Sequence, residues 1–93
     1  MTAPTFSGIA HLDLSVSDVE ASADWYQRVL GLERVRRTEF ESRTMIVLVE
    51  PASGLIIGLN EHAGRPDGAF DERRAALDHV GFTVADREEL AAW

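Results

Sequence analysis

Two stretches of this sequence, His11 to Trp25 and His79 to Trp93, follow one strand-to-helix plan at an offset of 68 residues. At that offset His11 falls on His79, Val16 on Val84, Asp18 on Asp86 and Trp25 on Trp93. Leu14 with Phe82, and Ser15 with Thr83, correspond by type. Repetition at a period longer than a solenoid unit is the mark of a duplicated half-domain. It constrains the fold to paired copies of one α+β unit. The second copy reaches only Trp93, where the first copy is midway along its helix, so its later strands are not in the sequence. Strands need partners on their edges and a covered face. The expectation is a fragment of a longer protein, or a homodimer whose modules are exchanged so that a second chain supplies the missing half.

The first copy reads clearly. Residues 9–16 alternate, with Leu12, Leu14 and Val16 on one face and His11, Asp13 and Ser15 on the other, the period-two pattern of a half-buried strand. Ser17 and Asp18 offer helix-capping side chains, and Ser17 with Glu20 has capping-box spacing ahead of Val19, Ala23, Tyr26 and Leu30 on one helical stripe. Gly31 is placed to end that helix. Strands are then expected at 33–40, 45–49 and 55–59, separated by a turn at 41–43 and by Pro51-Ala52-Ser53-Gly54. The result is a β-α-β-β-β module over residues 8–61. Residues 62–75, with Gly64, Pro66 and Asp67-Gly68, read as a linker loop, and residues 76–93 as the start of a second module with a first strand and an early helix.

Composition narrows the class. With 45% hydrophobic and 27% charged residues the chain suits one globular domain, and without cysteine it has no disulfide to make up for a small core. Cysteine absence fits a reducing compartment, residues 1–7 lack a signal-peptide pattern, and no apolar run is long enough to span a bilayer. A cytoplasmic protein without a membrane partner is expected. The formal charge is -7, and all nine basic residues are arginine, so nucleic acid is not an expected partner. Arg34, Arg36 and Arg37 form the one basic cluster. On an alternating strand Arg34 and Arg36 share a face and Arg37 takes the other, as on a solvated edge.

A histidine on the polar face of an early strand, matched by a second at the equivalent place, is what a metal site between two half-domains requires. Neutral imidazole suits Zn, Fe, Ni and Mn to differing degrees, and a carboxylate is expected to complete the shell. Taken singly, each histidine has the plainer reading of a structural residue. Trp25 and Tyr26 read as core packing, and Glu88-Glu89 as the solvated face of the second helix. The sequence contains no Gly-rich phosphate loop and no Ser-His-Asp order with supporting context.

The runs Ile9-Ala10-His11-Leu12-Asp13-Leu14-Ser15-Val16-Ser17-Asp18, Trp25-Tyr26, Val29-Leu30-Gly31-Leu32 and Leu77-Asp78-His79-Val80-Gly81-Phe82-Thr83-Val84-Ala85-Asp86 resemble the vicinal oxygen chelate superfamily. That superfamily includes glyoxalase I, type I extradiol dioxygenases, fosfomycin-resistance proteins, methylmalonyl-CoA epimerase and bleomycin-resistance proteins. The resemblance implies paired β-α-β-β-β modules forming a cup-shaped sheet, the second module here truncated. It implies divalent-metal ligands on the first and last strands of each module, with the ion acting as a Lewis acid on adjacent oxygens of a small-molecule ligand.

By position, His11 and His79 match the two first-strand ligands. The last-strand position of the first module falls nearest Gly58, which has no side chain to offer, so a four-protein-ligand site is not expected. A three-ligand site would take its carboxylate from a strand beyond Trp93. Glu61 and His62 would stand in only if the register shifted, and Asp13, on the face of His11, would orient a ligand or bind substrate. The chemistry among lyase, isomerase, dioxygenase and transferase outcomes stays open. A metal-free small-molecule-binding protein of the bleomycin-resistance type is the competing expectation.

Overall fold

The computed structural model describes residues 3–66 and 68–93. Met1 and Thr2 of the N-terminal stretch, and Asp67 of the linker, lie outside the described residues. The elements are β1 (His11–Ser15), α1 (Val19–Leu30), β2 (Glu33–Glu39), β3 (Arg43–Val49), β4 (Ile56–His62) and α2 (Arg87–Ala92). The four strands form one sheet in the order β1-β4-β3-β2, with β1 parallel to β4 and the other pairs antiparallel. A parallel pair needs a crossover, and α1 with the β2-β3 hairpin provides it.

Helix α1 starts at Asp18, not Ser17. Asp18 has extended backbone and its Oδ1 accepts from the Ala21 N–H at 3.0 Å, so the capping box expected from Ser17 and Glu20 does not form. Glu20 is drawn elsewhere, as described below. The helix ends as expected at Gly31, whose φ of 70° is the left-handed conformation that glycine adopts without penalty.

The helix lays Val19 and Ala23 on the sheet, where they join Leu32, Ile46, Leu48, Ile57 and Leu59 in the buried core. Tyr26 and Leu30 pack at its margin. Trp25 departs from the expectation of core packing: it is 44% exposed, with its ring edge-on to Tyr26 at 5.1 Å. All the buried apolar strand residues share one face of the sheet, so the opposite face is free to carry chemistry.

The arginine cluster is rearranged by a register shift between Arg34 and Arg36. The extra residue turns the alternation over, so Arg34 and Arg37 share the helix-covered face and Arg36 pairs beside Val47 on the other. Both Arg34 and Arg37 then close on Glu20 of α1. Arg34 Nη1 and Nη2 donate to its carboxylate at 3.0 and 3.1 Å, and Arg37 Nε at 2.7 Å. These ion pairs hold the Glu20 carboxyl below the ordinary glutamate range, the Arg34 and Arg37 hydrogen bonds being the main causes. β2 is the sheet edge, as the basic cluster suggested.

β4 runs three residues past the stretch expected of it, through Asn60, Glu61 and His62, and so takes the first residue of the expected linker into the sheet. Beyond it, the repeat is realised in part. Asp86 caps α2 as Asp18 caps α1: both have extended backbone, and each accepts from the N–H three residues on, Glu89 at 2.9 Å and Ala21 at 3.0 Å. The strand expected before α2 is absent, because residues 76–84 find no ladder partner among the described residues. Phe82, Leu90 and Trp93 stay 55 to 67% exposed, as apolar positions do when the sheet they should pack against is missing.

Candidate functional site

The open face of the sheet is defined by the strand register. On β1 it carries His11, Asp13 and Ser15, and beside them on β4 lie Ile56, Gly58 and Asn60. Met45, Val47 and Val49 of β3 continue the same rows. His11, Asp13 and Ser15 are exposed while Leu12 and Leu14 are half-buried against the core side, so the polar face expected of this strand is present.

Gly58 stands directly opposite Asp13, and it makes room for that carboxylate. A Cβ at position 58 would lie 2.9 Å from Asp13 Cγ and closer still to Oδ1, a contact that real side chains do not tolerate. The missing side chain at Gly58 is therefore coupled to Asp13. At the one position where the sequence places a last-strand ligand, the structure lodges the carboxylate of its neighbour.

Glu61 and His62 are separated by the alternation of β4. Glu61 turns to the helix-covered side, where its Oε1 accepts from the Val19 N–H at 2.9 Å. Val19 is the first residue of α1, and its N–H is one of those that no helical carbonyl can satisfy. Glu61 is a helix cap, with its carboxylate turned away from the open face. His62 is exposed at the strand end, beside Arg43.

His79 lies outside any strand and is exposed, in contrast to the in-strand position of His11. Its Nδ1 is 2.7 Å from Asp78 Oδ1. With Nδ1–H donating to that carboxylate, Nε2 is left as the bare nitrogen, the arrangement by which second carboxylates orient metal-binding imidazoles. A cleft of about 600 Å3 between β1 and residues 76–82 is lined by Asp13, Asp78 and His79 together with Leu12, Leu14, Tyr26 and Ile57, so it wraps the β1 edge toward the helix-covered side. It brings Asp13 and His79 to one space, whereas His11 does not line it. A larger hollow, about 870 Å3, lies between Leu30, Leu32 and Leu55 near the core and Phe82, Leu90 and Trp93. It is apolar and does not contain the histidines.

The donors are right in kind for a divalent ion and short in number. Two imidazoles and Asp13 suit Fe, Mn, Zn or Ni, yet no group of three possible ligands gathers among the described residues. No helix among them is long and apolar enough to cross a membrane.

An open β-α-β-β-β sheet with a helix on one face and a polar row on the other, followed by a second capped helix start at a fixed offset, defines the class of paired-module α+β domains. The chain belongs to the Glyoxalase/Bleomycin resistance protein/Dioxygenase superfamily, whose family model matches residues 8–93. It is 34% identical to a glyoxylase/bleomycin resistance protein/dioxygenase domain from Frankia sp. EAN1pec, with a TM-score of 0.86 over 94% of this chain and 64% of that one. The crystal structure of the fosfomycin resistance protein FosX of Listeria monocytogenes with Mn(II) and sulfate matches at 20% identity and a TM-score of 0.68, over 95% of this chain and 66% of that one. That likeness shows the fold. Among curated proteins, the "Putative ring-cleaving dioxygenase MhqA" of Bacillus subtilis (strain 168) is 28% identical over 96% of this chain. The chain spans 28% of that relative's length.

Proposed function

We propose that this chain belongs to a metalloenzyme that binds a small oxygen-bearing substrate on the open face of the sheet, with His11 and His79 as ligands of a divalent ion. The observation that carries the reading is the polar row on the uncovered face: His11 and Asp13 lie two residues apart on β1, and Gly58 makes space for the Asp13 carboxylate. When bound, such an ion, Fe, Mn, Zn or Ni, supplies Lewis-acid polarisation of substrate oxygens. The Nδ1 of His79 lies beside the Asp78 carboxylate, and with Nδ1–H donating there its Nε2 would face the ion. Asp13, lining the cleft with His79, is placed to accept a hydrogen bond from a substrate hydroxyl. Lyase, isomerase, dioxygenase and transferase outcomes remain equal in this proposal. A third ligand is assigned to residues beyond this chain or to a second copy of it, in a homodimer with exchanged modules. The exposed Phe82, Leu90 and Trp93 support that arrangement. A cytoplasmic location belongs to the same proposal.

Metal analysis of the intact protein tests it, beside His11→Ala and His79→Ala. Each substitution is expected to lower the bound metal severalfold, and unchanged metal content in both variants contradicts the reading. A second reading is a metal-free small-molecule-binding protein, supported by the bleomycin resistance proteins that the matching family takes in. Ligand affinity that survives chelator treatment would select it.

A further inference from the structure

Arg43 begins β3 on the open face, and its guanidinium is held by three neutral groups. Nη1 donates to Asn60 Oδ1 and lies 3.7 Å from Met45 Sδ, while the guanidinium carbon sits 4.3 Å above the centre of the Phe40 ring. None of these neutralises its charge. Among the described residues no carboxylate lies within ion-pair distance of Arg43, Arg36, Arg65, Arg74 or Arg87, and of these five Arg43 alone is half-buried. The remaining donors, on Nε and Nη2, have no acceptor among the described residues.

Asn60 makes this arrangement hard to read as incidental. It is only 5% exposed, the one buried polar residue of the described chain. Burying an amide costs free energy unless it is hydrogen-bonded, and an apolar residue would fill the position without that cost. What the amide does here is fix a cation's position while leaving its charge intact. Along β4, Asn60 is two residues from Gly58, which sets the guanidinium's anchor about 7 Å from the row of Asp13. A small molecule that reaches from Asp13 to Arg43 fits that spacing.

We propose that Arg43, clamped by Asn60 and Phe40, is the oxyanion-recognition residue of the open face, holding a carboxylate, phosphate or phosphonate group of the small-molecule ligand. The assignment rests on the reading that this face binds a small molecule, but it does not require a metal. A planar guanidinium with two free edge donors pairs with such groups through parallel hydrogen bonds. In a chain of formal charge -7, a fixed unneutralised cation also sets the sign of ligand this face accepts.

The test titrates inorganic phosphate into the intact, metal-stripped protein by calorimetry and by NMR of the arginine Nε–H signals. Wild type is expected to bind in the millimolar range with the Arg43 signal shifting, and Arg43→Gln to weaken binding about tenfold, the loss of one charge-assisted pair. Asn60→Asp is the sharper variant: it keeps the clamp but neutralises the guanidinium, so binding should fall about as far while the melting temperature holds or rises. Arg36→Gln, an exposed cation on the same face, should leave binding within about twofold. Phosphate binding unchanged in both Arg43→Gln and Asn60→Asp overturns the proposal, as does an equal loss in Arg36→Gln, which would mean a diffuse field. Because the protein is metal-free in this assay, loss of metal binding by the histidine variants and loss of phosphate binding are read separately.

Discussion

Glu61→Ala removes the acceptor of the Val19 N–H. That N–H opens α1, belongs to a residue only 3% exposed, and has the 2.9 Å bond to Glu61 Oε1 as its cap. A hydrogen bond to a charged acceptor contributes about 1.5 to 3 kcal/mol when buried, and a negative charge at a helix start adds about 0.3 to 1 kcal/mol. Glu61 is half-exposed, so water screens the charge and replaces part of the bond in the variant. The expected loss is about 1 to 2 kcal/mol, in the range found for deleted caps. For a domain of this size each kcal/mol moves the melting temperature by about 4 to 8 °C. Circular dichroism melts of wild type, Glu61→Ala and Glu61→Gln measure it. Glu61→Gln keeps a neutral acceptor and should retain about half the stability at stake. Metal affinity should not change in either variant, since the carboxylate lies on the helix-covered side. Equal melting temperatures for Glu61→Ala and wild type, with an unmoved Val19 amide signal, would refute the capping assignment.

Three further outcomes are expected. Ile57→Ala should cost about 2 to 5 kcal/mol, because Ile57 is fully buried in a core of few residues; chemical denaturation with loss below about 1 kcal/mol would contradict that packing. Folding lowers the Glu20 pKa, so its clasp on Arg34 and Arg37 contributes stability above the unfolded pKa of about 4.3 and loses it as pH falls through the folded value. Melts from pH 7 down to pH 3 should therefore show a smaller acid loss in Glu20→Gln than in wild type, a difference that salt near about 1 M suppresses. Gly58→Ala should change stability by less than about 1 kcal/mol, since the strand gains a Cβ while the exposed Asp13 side chain swings away. The Asp13 carboxylate signal should nonetheless move, and an unmoved signal would deny the contact.

The first module was legible because its signals are local. Alternation over residues 9–16 marks β1, the Val19-Ala23-Tyr26-Leu30 stripe and Gly31 mark α1, and each is a property of near neighbours. Ser17 and Asp18 both stood out as capping side chains, and the choice of Asp18 was not legible because Glu20 has a better use in two arginines of β2. The shift at Arg34 to Arg36 was hidden for the same reason: a bulge is set by what the strand pairs with. Asn60 to His62 fell outside the expected strand, since polar residues at a strand end and in a loop are alike until the partner strand is known. The pairing of Gly58 with Asp13 was half visible. Gly58 stands at the last-strand ligand position by its place in the sequence, but only the parallel register of β1 and β4 puts Asp13 against it. Arg43 carried no pattern at all, because its meaning comes from Asn60 on another strand.

The central claim is that a divalent ion and its ligand bind at His11 and Asp13 on the uncovered face of the sheet and at His79 across the β1 cleft. Mn(II) titrated into the intact protein broadens nuclear resonances near the ion, so it locates the site without any turnover. His11, Asp13 and His79 signals are expected to broaden first and at stoichiometric metal, while those of Val19 and Glu61 on the helix-covered side stay sharp. Broadening that begins instead at exposed carboxylates such as Glu88 and Glu89, and that His11→Ala and His79→Ala leave unchanged, would contradict it.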